Sequence, residues 1–180
     1  MTKAKARTHP KSELVARIGL ISDTHGLFDA AISAQFAGVD QILHAGDIGC
    51  ATVIDRLEAI APVTVVSGNV DGFEASGFPR EQVVTVAGRR IALYHRLYEG
   101  GSMTKEGRTF LERTDPDVCV FGHTHRPTIE RLDGMLLVNP GSAGPKRFSL
   151  PRGIGLLLLY PGSIEPVLIA LPDRAQSSLE

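Results

Sequence analysis

Residues 18–69 read IGLISDTHGLFDAAISAQFAGVDQILHAGDIGCATVIDRLEAIAPVTVVSGN. Ile18-Gly19-Leu20-Ile21 is an apolar run too short for a helix, so it reads as a buried strand. Leu27–Phe36 carries apolar residues at helical spacing and stops before Gly38. Gln41-Ile42-Leu43 is a second strand. Ala51–Ile60 is a second helix, with Val53, Ile54, Leu57 and Ile60 along one face and Pro62 just past its end. Val63–Val66 is rich in β-branched residues and reads as a third strand. Strand, helix, strand, helix, strand is the signature of parallel βαβ units.

Beyond this stretch the pattern changes. Val83–Val86 and Ile91–Tyr94 flank Gly88 and read as a hairpin. A helix over Met103–Arg113 follows, weakened by Gly107 inside it. Val118–Phe121 is another buried strand. Thr128–Arg131 and Met135–Val138 flank Asp133-Gly134, a strong hairpin turn because Gly accepts positive φ. Gly153–Tyr160 and Ile164–Ala170 flank Pro161-Gly162-Ser163, a further hairpin. A βαβ half joined to a hairpin-rich half implies a mixed α/β fold of two packed sheets with helices outside, not a single open sheet. The polar, aperiodic ends set the expected boundaries: an N-terminal tail over 1–15, one domain over 16–172 and a C-terminal tail over 173–180.

Composition excludes several classes. The 180 residues are 43% hydrophobic and 22% charged, enough to bury a core. Nineteen Lys and Arg against 20 Asp and Glu give a formal charge of −1, so no basic stripe argues for nucleic acid. Cys50 and Cys119 form no CxxC motif and no disulfide framework, which favours a reducing, cytoplasmic compartment. The longest apolar run, Gly153–Tyr160, is far short of the ~20 residues of a membrane helix, and no secretory h-region follows the N-terminal basic residues. The sequence leaves a homo-oligomer open.

Five apolar strands end in residues that bind metals. They run into Asp23 and His25, Gly46-Asp47, Gly68-Asn69, His95, and Gly122-His123-Thr124-His125. In α/β folds ligands gather outside the carboxyl ends of strands, where side chains distant in sequence converge. Asp23 and His25, and His123 and His125, stand two apart, so in extended chain each pair would project to one side. Gly46 and Gly68 each precede a candidate ligand, as expected where backbone turns sharply or comes close. Asp23, His25, Asp47, Asn69, His95, His123 and His125 are too many ligands for one tetrahedral zinc and suit two ions that share Asp47. Their mixed nitrogen and oxygen donors favour borderline transition metals, Mn, Fe, Zn, Co or Ni, over an all-oxygen Ca or Mg cage, and Mn is the ion expected foremost. Two divalent ions, two carboxylates and one hydroxide leave a net positive site, which attracts phosphate.

Taken together, Asp23-Thr-His25, Gly46-Asp47, Gly68-Asn69-Val-Asp71, His95 and Gly122-His123-Thr-His125 resemble the five signature motifs of the calcineurin-like metallophosphoesterases. The short chain, the GNxD form and Asn139-Pro140-Gly141-Ser142 resemble the small prokaryotic phosphodiesterases of that family. The resemblance spans roughly Ile18–Arg147. It implies a four-layer αββα sandwich. It also implies that Asp23, His25 and His125 bind one metal, that Asn69, His95 and His123 bind the other, and that Asp47 bridges them. Asp47, Asn69 and His95 then stand at the catalytic centre, and a metal-bridging hydroxide attacks a small phosphodiester in line.

Two departures matter. Many phosphatases of the family have a His after the GN pair that can protonate the leaving group; here the position is Val70. General acid help is worth about 10²–10⁴-fold, so its lack favours aryl or cyclic diesters over alkyl monoesters. The family's His-Gly-His run is here His95-Arg96-Leu97, and Arg96 either contacts a substrate phosphate or pairs with a surface carboxylate. Other residues stay open in the same way. His44 orients a ligand or is a packed core histidine, Asp71 partners a ligand histidine or caps a turn, and Arg147 is a candidate phosphate contact. Two rival functions remain: a non-catalytic binding scaffold of the same fold, like the retromer subunit that has lost ligand histidines, and a phosphomonoesterase or protein phosphatase. Retention of His25, His95, His123 and His125 opposes the first, and Val70 the second.

Overall fold

A computed structural model describes residues 13–72, 76–147 and 149–173. The predicted tails therefore fall largely outside the described residues, although Val15 already donates its N–H to Leu159 O at 2.8 Å.

Twelve strands and three helices are named here in chain order: β1 (Ala16–Ile21), α1 (Ala30–Gln35), β2 (Gln41–His44), α2 (Ala51–Glu58), β3 (Val63–Val65), β4 (Glu81–Val86), β5 (Arg89–Tyr94), β6 (Tyr98–Glu99), β7 (Ser102–Met103), α3 (Lys105–Thr114), β8 (Val118–Val120), β9 (Thr128–Leu132), β10 (Met135–Asn139), β11 (Gly153–Leu159) and β12 (Ile164–Ala170). The first sheet has the order β12-β11-β1-β2-β3 and the second β4-β5-β8-β10-β9. Strands β1, β2 and β3 are parallel, as the βαβ reading requires, with Leu20 opposite Leu43 and Leu43 opposite Thr64. The C-terminal hairpin returns to this sheet and lies antiparallel to β1.

Packing produces four layers, αββα. Ile18, Leu20, Leu43, Ile91, Val120, Val138 and Leu157 meet between the sheets. Ile32, Phe36, Val53 and Leu57 of the α1–α2 side cover the outer face of the first sheet. Phe110 and Leu111 of α3 cover Ala92, Cys119 and Leu137 on the outer face of the second.

The structure differs from the sequence reading in three places. Helix α1 starts at Ala30, not Leu27, because Leu27 closes a turn onto Thr24 O and the Asp29 side chain caps the helix by accepting from Ala31 N at 3.0 Å. Helix α3 starts at Lys105, not Met103: Thr104 caps it by accepting from Gly107 N, and Met103 belongs to the small β6–β7 hairpin. The second half is less hairpin-dominated than its turns suggest, since β5, β8 and β10 are parallel and only the edges β4 and β9 are antiparallel. Both sheets therefore present carboxyl ends of parallel strands at one pole.

Candidate metal centre

All seven predicted ligands lie at that pole, just past β1, β2, β3, β5 and β8. Among the described residues, Asp23, His25 and His125 place one ligand atom each within 4.8 Å of one another, and so do Asp23, Asp47 and His95. In the first cluster His125 Nε2 is 3.1 Å from Asp23 Oδ1 and 3.4 Å from His25 Nε2. In the second, His95 Nε2 is 3.4 Å from Asp47 Oδ1 and 3.1 Å from Asn69 Oδ1, and His123 Nδ1 is 3.0 Å from the same Asn69 oxygen. Asp47 faces both groups, its Oδ2 lying 3.9 Å from His25 Nε2. Asp23 is the residue common to both three-residue groups.

The two-residue spacing converges by a different backbone from the extended chain expected. Asp23, His25, Asp47, His123 and His125 all have positive φ, between 47° and 67°. These are five of the eight non-glycine residues in that region among the described residues. Left-handed backbone costs a non-glycine residue of order 1–3 kcal/mol and persists where the surroundings over-determine it. Here the loops determine one another: Asp23 N donates to Gly46 O, His25 N to Asp47 O, and Gly26 N to Ile48 O. The alternating turns also divide the His123/His125 pair, sending one imidazole to each cluster. Gly68 leaves no room for a side chain, since a Cβ there would lie 2.1 Å from Asp47 Oδ1 and 2.2 Å from Asp47 N.

Hydrogen bonds fix which atoms are free to ligate. His95 Nδ1 is 2.7 Å from Ala45 O, a pure acceptor, so Nδ1 carries a proton and Nε2 is the ring atom that faces Asp47 Oδ1 and Asn69 Oδ1. Nε2 of His95, Nδ1 of His123 and the side-chain oxygens of Asp47 and Asn69 thus converge on common space, which suits a cation. Burial pulls the His95 pKa down, but its bond to Asp47, the charges of Asp23 and Asp47 and the Ala45 carbonyl outweigh this and raise it. Burial raises the Asp47 pKa, yet His95, the Val70 N–H at 3.0 Å and His25 together lower it to about 2. His25 is lowered by burial and then by the Arg147 charge, and His123 by burial and then by His95.

The open alternatives separate. His44 is fully buried, with Gly46 N donating to its Nδ1 at 3.2 Å and its Nε2 3.0 Å from Thr24 Oγ1. Thr24 Oγ1 gives its own proton to Ile48 O at 2.9 Å, so the Nε2 of His44 donates. Burial lowers its pKa to about 4. It is a packed, neutral histidine that braces the loops and whose hydrogen bonds go to Thr24 and Gly46, not to any of the seven. Asp71 accepts from the N–H groups of Ile48, Gly49 and Gly68 at 2.7–3.1 Å, which is turn capping. Arg96 pairs with Glu99 at 2.8 Å on the surface, and Glu99 lies 3.8 Å from His123 Nε2. Sequence reasoning missed Glu99, and nothing but its proximity in the chain to His95 could have flagged it.

A sequence profile of the calcineurin-like phosphoesterase superfamily domain matches residues 16–160. The chain belongs to this superfamily. A probable metallophosphoesterase of Methanothermobacter thermautotrophicus is 36% identical over 140 residues, covering 74% of this chain and 81% of that protein. The probable metallophosphoesterase YsnB of Bacillus subtilis is 35% identical over 127 residues, covering 68% and 72%. Vacuolar protein sorting 29 of Cryptosporidium parvum shares the fold with a TM-score of 0.71 at 21% identity, covering 89% of this chain and all of that one. An archaeal phosphodiesterase superimposes with a TM-score of 0.65 at 23% identity, covering 86% and 99%. As a superfamily member this chain is a phosphoester hydrolase by family.

Proposed function

We propose that the chain is a metal-dependent phosphodiesterase that holds two divalent transition-metal ions, manganese foremost, and hydrolyses small phosphodiesters in the cytoplasm. The observation that carries this is the convergence of metal-ligating side-chain atoms from five separate strand ends. Asp23, His25 and His125 would hold one ion, Asn69, His95 and His123 the other, and Asp47 both. Bound there, such ions supply water activation near neutral pH and neutralise charge growing on the phosphoryl oxygens.

The chain's own groups do the rest. With a pKa of about 2, Asp47 stays anionic throughout the working range and offers one oxygen to each cluster. The Ala45 carbonyl holds the His95 ring with its Nε2 facing Asp47 and Asn69. A cleft of about 460 Å³ beside Asn69 and His95, lined by Arg80, Tyr94, Arg96 and Thr104, has room for a small substrate. Val70 gives its N–H to Asp47 and turns an isopropyl group, half exposed, to solvent. It has no proton for a leaving group, so esters whose leaving group departs unaided are favoured.

Metal analysis followed by a panel of aryl diesters, cyclic nucleotides and alkyl monoesters tests this. Two equivalents of metal and faster turnover of aryl or cyclic diesters are expected. Alkyl monoesters hydrolysed as fast as aryl diesters would overturn the diester assignment. Metal-free protein that gains no activity with manganese or nickel would favour a binding scaffold.

A further inference from the structure

Arg152 is buried to 2% exposure, immediately before β11 and far in sequence from every metal motif. Its backbone is pinned on both sides: it forms an isolated parallel bridge with Ser142, Gly153 N donates to Ser142 O, and Leu171 N donates to Arg152 O. Its guanidinium donates in four directions. Nε bonds Gly144 O at 2.8 Å, Nη2 bonds Ala143 O at 2.9 Å, and Nη1 bonds Asp29 Oδ2 at 2.9 Å and Pro172 O at 2.7 Å. A buried guanidinium is tolerated only with such a set of partners.

The segment it grips is the one that backs the Asp23 loop. Ala143 N donates to Ser22 O at 3.0 Å, Gly144 N to Asp23 O at 3.0 Å, and Ser142 Oγ to the same Asp23 carbonyl at 2.9 Å. At Gly144 a Cβ would lie 2.5 Å from Asp23 O and 2.7 Å from Thr24 O, so the two backbones are in direct apposition. On the other side Arg152 holds Asp29, the residue that ends this loop by capping α1. Residues 22–29 are therefore held by Arg152 directly at Asp29 and, at the other end, through residues 142–144, and within them Asp23 and His25 have positive φ of 53° and 47°.

We infer that Arg152 is a positioning residue for the first metal cluster, holding the strained Asp23–His25 loop in its ligating shape through residues 142–144 and Asp29. The inference rests on the metal reading given above. It differs from a general stabilising role because the clamp acts on one loop. The segments that carry Asn69 and His95 are held by Asp71 and the Ala45 carbonyl and make no contact with the guanidinium. Lysine at this position retains the charge for Asp29 but has no planar fork to bridge three carbonyls and a carboxylate.

The test is cobalt(II) uptake by the purified chain, followed by absorption spectroscopy and chelator competition. The variant Asn69→Ala isolates the first cluster and His25→Ala the second. Loss of partners that orient a ligand weakens metal binding about 10–100-fold. Adding Arg152→Lys is expected to weaken the first cluster, which takes both Asp23 and His25 from the clamped loop, at least tenfold, and the second, next to which only Asp23 of that loop stands, by a smaller factor. Asp29→Asn, which removes one arm and leaves the guanidinium in place, is expected to shift the first cluster in the same direction by a smaller factor, and it serves if the lysine variant does not fold. Equal weakening of both clusters would show a merely structural role and overturn the inference. So would unchanged cobalt affinity in both variants while the parent binds. A parent chain that takes up no cobalt would overturn the metal reading itself, and this inference with it.

Discussion

The two ends of the second sheet make opposite use of the same strands. At the carboxyl ends of β5 and β8, His95, His123 and His125 meet Asp23, Asp47 and Asn69, and their loops hold strained backbone. At the amino ends lies a cavity of about 500 Å³, slightly larger than the cleft beside His95 and lined by Arg90, Arg108, Glu112, Asp115, Asp117 and Met135. Its charged groups serve the scaffold: Asp117 accepts from Arg90 N and pairs with Arg89, and the Arg90 guanidinium caps the Thr114 carbonyl. Volume alone therefore does not mark the site. Convergence of metal-ligating side chains from separate strand ends does.

The largest effect belongs to Asp47→Asn, which removes the anion that turns one oxygen to each cluster. Loss of at least one metal equivalent is expected. Turnover of an aryl diester should fall on the order of 10³-fold, the upper range for deleting one preorganised electrostatic group. Normal metal content and rate in this variant would sink the bridging assignment. Next comes Gly68→Ala. A methyl group 2.1 Å from Asp47 Oδ1 must displace that carboxylate, and misplacement of a reacting centre by about 1 Å costs on the order of 10²-fold. The fall should appear in kcat, while circular dichroism stays native.

The buried His44 tests the loops rather than the ligands. Its folded pKa, about 4, lies below the ordinary 6.5. Between those values the unfolded chain takes up a proton that the folded chain refuses. This contribution is therefore complete above pH 6.5, is lost as pH falls from 6.5 to 4, and is constant below 4. The shift corresponds to about 3 kcal/mol. Urea unfolding of metal-free protein at pH 7 and pH 4.5 should show the loss, and His44→Gln should flatten it.

How much of this was legible beforehand differs between fold and site. The βαβ half could be read because buried parallel strands leave continuous apolar runs such as Ile18–Ile21, and Val53, Ile54 and Leu57 keep helical period. The parallel pairing of β5, β8 and β10 was hidden because turn residues report only their local hairpins, whereas sheet order depends on long-range packing. Among site residues, all seven candidate ligands were visible as types at strand ends. Their left-handed backbone was not, because it is imposed by hydrogen bonds from loops over twenty residues away, as between Asp23 and Gly46. Arg152 gave no signal at all: an arginine before an apolar strand looks like any surface cation until its partners are seen.

Val70→His introduces a proton donor at the rim of the centre, where the native side chain is 52% exposed. An unoptimised donor should recover less than the about 10²–10⁴-fold of a positioned general acid, roughly tenfold. The gain should be confined to alkyl monoesters, with aryl diesters unchanged. An equal gain on both would mean that the histidine acts by binding substrate and not by protonating the leaving oxygen.

The smallest effect is expected at the other pole. Leu132 lines the 500 Å³ cavity from the edge strand β9, is 37% exposed, and pairs with Met135 across the hairpin. Trp is well suited to such a strand position and would fill much of the cavity. If chemistry follows convergent ligands, Leu132→Trp should leave metal content, KM and kcat within twofold of the parent. The reason is geometric: the cavity sits at the amino ends of β5, β8 and β10, a strand length from His95 and His123, and neither cluster draws a ligand from its lining. A selective rise in KM in this variant, with stability unchanged, would mean that part of the substrate reaches the far end of the sheet. The contrast between the two poles would then have to be abandoned.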